Sequence, residues 1–350
     1  MWVSAFLSAM TGWGEKALSV LVRRRTAQGW QGGAMVWLEE LHLPVLAKLA
    51  ALFTALAALG MGDMVQANAV ATAVEAVTGC PPLLTGMVTA ALCAGVLLGG
   101  LGRIGKLCER LVPCMAALFL AGGLVTLYVQ REALPQVFEL IFRSALSPEA
   151  VGGGTLGSAL RWGVARGICT NEAGLGSTAL VHCSSRNNDP VKEGYWGIVE
   201  VFFATFVVCT ITALVVLSSQ AYRTGAVEQG AALSVAAFQE GLGPFGGQFV
   251  SICLAVFAFS TLLGWCWYGC CGVRYLLSPR WEGAYRLLFL GCIVVGSVGR
   301  VEAVWLLSDL FNGLMACPSL IALLLSAPKL LPLLQNGGER GIIPVQKSQS

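Results

Sequence analysis

The chain has 350 residues, a net charge of +3, 56% hydrophobic residues and only 12% charged ones. Soluble proteins carry about 25% charged residues, and the mean hydropathy of +0.73 leaves too little polar surface to coat a body of this size. This excludes a soluble enzyme, a disordered chain and a nucleic-acid binder built on a basic patch; the composition is that of an all-α polytopic membrane protein in a lipid bilayer.

A hydrocarbon core of about 30 Å takes roughly 20 apolar residues per helix. In chain order the hydropathy predicts nine spans, at 2–22, 43–77, 82–101, 111–129, 156–185, 194–219, 247–276, 284–299 and 302–327. Two are too long for a plain helix: 43–77 is expected to be strongly tilted and 156–185 to be broken. Lys and Arg test the count, because cytoplasmic loops collect positive charge. Fourteen fall on the side reached after the first span, beginning with Arg23, Arg24 and Arg25, against four on the other, Arg131, Arg143, Arg223 and Arg300. The expected orientation in the cell membrane is therefore N-terminus outside and C-terminus cytoplasmic. A first span entering from outside suggests helices upstream of Met1.

Two amphipathic stretches, one with Leu134, Val137, Phe138, Ile141 and Phe142 on one face and a weaker one around Leu233, Ala237 and Phe238, read as interfacial helices on the outer face. The organisation expected is one transmembrane domain over 1–333, with a disordered cytoplasmic tail at 334–350. The N-terminal apolar run lacks the basic start and cleavage site of a signal peptide. Thirteen cysteines sit singly in apolar stretches apart from Cys266, Cys270 and Cys271, with no C-x-x-C pair, and His42 and His182 lie far from any paired cysteines. That pattern offers no zinc site, no cofactor is expected, and cysteine reads as a small packing residue.

Strongly polar groups at bilayer depth are the best pointers to function. The stretch 163–177 reads G-V-A-R-G-I-C-T-N-E-A-G-L-G-S. As a lipid-facing helix it would be unstable, since each interior glycine costs about 1 kcal/mol against alanine and its polar side chains would lack partners. A helix that unwinds around 168–174 and restarts accounts for it, with free backbone groups lining a cavity. Such helices bind substrates and ions in secondary transporters. A second cluster is Asp63 with Gln66, three residues apart on one face, and Asn68 off it. In a third, Thr261 and Trp265 share a helical face, and Ser260 and Thr261 offer hydroxyl oxygens to a hard cation such as Na⁺. Glu15, Lys16, Glu200 and Asp309 read first as structural pairs. An intramembrane enzyme needs a nucleophile and base at one depth, which His182 and nearby cysteines offer only weakly; the chain is not expected to be an enzyme.

These clusters, in this order, resemble the sodium:alanine (alanine/glycine:cation) symporter family. Residues 166–177 are similar to its R-G-x-F-S-N-E-A-G-x-G-S signature, and supporting matches at 32–35, 64–68, 111–115, 257–265 and 309–316 extend the resemblance over roughly 1–330. The resemblance implies a leucine-transporter-like fold of two inverted five-helix repeats, here truncated to about nine transmembrane helices, with an incomplete first repeat at 1–129 and the second at 150–330. It implies import of alanine or glycine with Na⁺ by alternating access. The family's counterpart broken helix, carrying G-T-G-N-I-A-G-V-A-T-A, and its additional N-terminal helix have no match here, so the alternative expectation is a non-transporting remnant or a partner-dependent protein of the same family. Cys169 stands where the signature has phenylalanine, Thr170 where it has serine, Ala204 where the family has aspartate, and Ala34 where it has proline. Carried over by motif, the resemblance implies Thr170 and Asn171, with backbone from Gly167 to Cys169, for the amino acid. Gln66, Thr261 and Trp265 would line the same pocket, with Trp265 closing over a small side chain. Ser260 and Thr261 are the implied Na⁺ ligands.

Overall fold

A computed structural model describes residues 1–26, 29–97, 101–145, 158–225 and 230–335. Helix α1 (Trp2–Leu21) runs into a short antiparallel hairpin, β1 (Arg24–Thr26) and β2 (Gly29–Gln31), in which Arg25 pairs with Trp30. Hydropathy gives no warning of this hairpin, held by stacking of the Arg23 guanidinium 4.3 Å over the Trp30 ring. Helix α2 (Ala34–Glu40) leads to α3 (Pro44–Thr78). The long segment at 43–77 is a continuous helix that takes up an extra residue in a π turn at Gly60–Met64. Such turns widen a helix locally and recur at functional sites.

Then follow α4 (Pro82–Leu97), α5 (Leu101–Val129), α6 (Leu134–Ala145), α7 (Ser158–Asn171) and the single-turn α8 (Ala179–His182). Helix α9 (Pro190–Ser218) carries a π stretch at Phe202–Cys209 and is followed by α10 (Gln220–Thr224) and α11 (Ala231–Leu242). The long α12 (Pro244–Leu276) precedes α13 (Glu282–Val298), α14 (Val301–Leu325) and α15 (Ala327–Gln335). Most of the tail expected at 334–350 lies outside the described residues.

Among the described residues six helices are long and apolar enough to cross a bilayer: α3, α5 from Ile104, α9, α12, α13 with its preceding turn, and α14. Helix α4 is a shorter apolar helix, and α1 has twenty residues with Glu15 and Lys16 fully buried inside the protein. The chain is a multi-pass membrane protein. Helix α11 turns the face that carries Ala237 and Phe238 into the protein: Phe238 is fully buried, with its ring 5.4 Å from that of Phe119 in a core shared with α12.

Small residues bring the helices together, as they do where lipid offers no hydrophobic drive between them. Gly12 of α1 meets Gly197 of α9 backbone to backbone, and Gly194 receives the Trp13 ring. The largest core lies between α3, α12, α13 and α14, centred on Met61, Trp265, Phe289 and Met315.

Candidate functional site

The broken element is present, and its break lies at 172–178, not at 168–174. Helix α7 continues through Thr170, whose hydroxyl donates to the Arg166 carbonyl (2.8 Å), and stops at Asn171. The Asn171 Oδ1 accepts the Ala173 N–H (3.1 Å), which turns the chain. Beyond it the backbone enters the left-handed region at Glu172 (φ 53°), Gly174 (φ 96°) and Gly176 (φ 77°) before α8 begins. Gly167 breaks nothing: it lets α7 press against Ser4 of α1. Position 172 is unusual, since non-glycine residues rarely adopt positive φ, and the glycines on either side of Leu175 make the excursion possible.

Other elements take up the polar groups that the break frees. Glu15 of α1 is fully buried, and its Oε1 accepts the Gly176 N–H (2.8 Å) and the Ser319 hydroxyl of α14 (3.3 Å). Ser177 donates to Glu172 Oε2 (2.7 Å), and the Asn171 amide donates to Ser8 Oγ (3.0 Å). On the arginine-rich side of the break, Lys16 forms an ion pair with Glu200 (3.1 Å). Glu200 lies 2.9 Å from His182 Nε2, and His182 Nδ1 lies 2.6 Å from Glu193. Arg23 ties the loop down, donating to the carbonyls of Cys183, Ser185 and Asn187 and to Asn188 Oδ1. Unpaired, such charges would cost several kcal/mol each, so this network explains how α1 carries Glu15 and Lys16 inside the protein. Of the charged groups read as structural pairs, Lys16 and Glu200 pair with each other, Asp309 pairs with Arg166, and Glu15 serves the break.

The opposite wall is made by α3 and α12. Trp265 is almost fully buried, its ring lies directly over Gly62 in the π turn, and its indole faces the Glu172 carboxylate. Tyr268 packs edge-on against it with ring centroids 5.2 Å apart. Ser260 and Thr261 both donate to the Phe257 carbonyl, at 2.8 and 3.0 Å, and Gln66 reaches the Met61 carbonyl at 3.5 Å. Asp63, between Gly62 and Met64, is fully buried, and neither of its carboxylate oxygens has a hydrogen-bond partner among the described residues.

The residues singled out in the sequence thus divide. Cys169 and Trp265 belong to one packed cluster with Met61, and Cys169 Sγ accepts from the Asn312 amide at 3.3 Å. Asn171 and Gly167 face α1, at Ser8 and Ser4, while Thr170 is exposed and lies beside Cys209 of α9. Gln66, Ser260 and Thr261 hold to their own helices. Ser8 and Ser319 carry no signal in the sequence, because their roles depend on partners far along the chain.

A cavity of about 350 Å³ opens beside the hairpin and is lined by Trp30, Ser184, Trp267, Arg274 and Arg286, with Leu97, Ile104, Cys266 and Cys270 in its walls. A second, of about 210 Å³, shares Trp30, Trp267 and Arg274 with it. Both lie on the arginine-rich side, and none of the substrate or ion residues expected from the sequence lines either.

A broken helix braced by buried carboxylates is an arrangement that known families can be compared with. The profile of the sodium:alanine symporter family matches residues 1–336. The sodium/alanine symporter AgcS of Methanococcus maripaludis is 38% identical over 333 residues, covering 93% of this chain and 73% of that protein. The probable sodium/glutamine symporter GlnT of Bacillus subtilis is 34% identical, covering 93% of this chain and 68% of that one. The sodium/proton-dependent alanine carrier protein of Bacillus sp. strain PS3 is 31% identical, with 93% and 77% covered. The family is one of transporters, not of enzymes, and with its profile matched along nearly the whole length, the chain belongs to the sodium:alanine symporter family.

Proposed function

We propose that this protein imports small neutral amino acids, alanine or glycine, together with Na⁺, by alternating access about the break at 172–178. The observation that carries the reading is the break itself: a polar excursion of positive-φ backbone in the middle of a membrane protein, with Trp265 packed over Gly62 opposite it. Unwound backbone at bilayer depth is tolerated only where protein or a cavity surrounds it, and transporters use it to bind substrates and ions near the midplane. The family and the names of AgcS and GlnT support the same class of cargo.

In this reading the amino acid is held where α7 ends, by Asn171 and the freed backbone beyond it, with Trp265, Thr261 and Gln66 across from it. Gly167 to Cys169 stay helical and Thr170 is exposed beside Cys209, so these serve the helix and not the substrate. Ser260 and Thr261 each give their proton to the Phe257 carbonyl, which leaves oxygen lone pairs for Na⁺. Hard cations take about six oxygens, so backbone and substrate oxygens complete the shell. An incomplete first repeat corresponds to 1–129 and the inverted second repeat to 150–330, and the arginine-rich side is cytoplasmic.

The test is uptake of labelled alanine into proteoliposomes with and without Na⁺. Native protein is expected to accumulate alanine only with Na⁺ outside, and Asn171→Ala to lose at least ten-fold in alanine binding. Unchanged Na⁺-dependent uptake in Asn171→Ala would overturn the site, and no uptake by well-folded native protein would favour the non-transporting alternative.

A further inference from the structure

Unlike Glu15 and Lys16, which have partners across the break, the carboxyl of Asp63 stands alone. It is fully buried in the π turn Gly60–Met64, partway along α3, and both its oxygens lack a hydrogen-bond partner among the described residues. A bare carboxylate there would be several kcal/mol out of balance, whereas a neutral carboxylic acid is tolerated at a fraction of that.

Its surroundings decide between a proton and a metal cation. The titratable groups within electrostatic reach of it are Cys93 of α4, Cys266 of α12, and Tyr285 and Cys292 of α13. From α14 come Ser308 and Phe311, which pack on Gly60. The Tyr285 hydroxyl is already committed to the Ala55 carbonyl at 2.7 Å. No described lysine or arginine pairs with the carboxyl, and soft thiols cannot replace the oxygen shell of about six ligands that Na⁺ or another hard cation demands.

Position then gives the group a role. Its neighbour Gly62 lies under Trp265, which closes the proposed amino-acid site. On the other side, Cys266 is both a neighbour of Asp63 and a wall of the 350 Å³ cavity on the arginine-rich side. Arg274 and Arg286 line that cavity and share a single carboxylate, Glu282, at 2.6 and 3.2 Å, so their net charge is positive. A carboxylate opened toward that cavity has positive charge to face, which it lacks in the closed arrangement.

We propose that Asp63 is a proton-binding site of the transport cycle, loaded in the closed arrangement and emptied into the arginine-lined cavity when Trp265 and the π turn move. The Asp63 O–H bond breaks, the proton passes to a water molecule in the cavity, and the carboxylate regains a proton from the opposite side as the cycle returns. The inference rests on the importer reading and adds the proton to its cargo.

The test is alanine-driven internal acidification of proteoliposomes holding a pH dye, measured beside alanine uptake with Na⁺ present. Native protein is expected to move protons with alanine. In Asp63→Asn the ratio of protons to alanine falls at least ten-fold, and in Asp63→Glu, which keeps the carboxyl, it is regained. A native ratio of zero, or an Asp63→Asn ratio equal to the native one, would overturn the proposal. Where a protein takes up no alanine, the importer reading fails separately, and infrared spectroscopy of the same samples decides about Asp63. A neutral-carboxyl band present in the native protein and lost in Asp63→Asn supports it; no such band overturns it.

Discussion

At the scale of single residues, the contact between Gly62 and Trp265 leaves no room for a single methyl group. A Cβ built at position 62 would run into the indole itself, at its attachment to the side chain, where the ring cannot rotate away. Overpacking of this kind costs about 1–3 kcal/mol. Gly62→Ala is therefore expected to lower the unfolding temperature in detergent and to weaken alanine binding together, because the displaced ring is the one proposed to close the site. Adding Trp265→Phe should not recover the stability, because phenylalanine keeps the Cβ and Cγ that the new methyl group meets; a Gly62→Ala protein as stable as the native one would refute the contact. The sequence made Trp265, Asn171 and the glycines around 174 legible, because polar and glycine residues at bilayer depth conflict with a plain helix. It could not reveal that Glu15 would serve the Gly176 amide, since the two lie 161 positions apart and nothing local joins them. The isolation of Asp63 is hidden for the same reason: spacing puts it on a face with Gln66, but only packing shows that nothing among the described residues answers its carboxyl.

At the scale of elements, the break was legible in kind and misplaced by about one turn. Thr170 and Asn171 look like helix breakers in sequence, yet Thr170 returns its hydroxyl to the Arg166 carbonyl and Asn171 caps the helix end. The glycines of this stretch accordingly serve two purposes that substitution separates. Gly167 is helical and yields space to Ser4, whose Oγ would sit 2.6 Å from a new Cβ, while Gly176 supplies a φ of 77°. Gly167→Ala should destabilise the protein and be relieved by Ser4→Gly, since alanine is otherwise the better helix former by about 1 kcal/mol. Gly176→Ala should cost about 1–2 kcal/mol through its left-handed backbone and stay costly with Ser319→Ala, which removes the hydroxyl 2.8 Å from that Cβ. Thermal unfolding of the four variants checks this, and relief of Gly176→Ala by the second change would show a steric origin instead. The π turns of α3 and α9 left no trace in hydropathy, because one additional residue shifts the apolar pattern without erasing it.

For the whole molecule, hydropathy makes the all-helical, membrane-spanning class legible, because it reports on the bilayer and needs no knowledge of which helix meets which. What it misses, the β1–β2 hairpin and the packing of Phe238 on Phe119, is decided by tertiary contacts that a bilayer does not impose. The hairpin matters most, since Trp30 stands at the mouth shared by both cavities, on the side assigned to the cytoplasm. If the protein works by alternating access, that mouth must change its exposure to water when cargo binds. Ser184 is exposed and lines the larger cavity, so it reports on the mouth without touching the proposed amino-acid or ion ligands. In a background whose thirteen native cysteines are replaced, Ser184→Cys should react with a membrane-impermeant thiol reagent added to the arginine-rich face and be protected from the same reagent on the other. Alanine with Na⁺ should alter that rate several-fold, while either alone should alter it far less, because only the loaded protein isomerises. Equal labelling from both faces would show the orientation to be wrong, and a rate indifferent to cargo would remove alternating access from the reading.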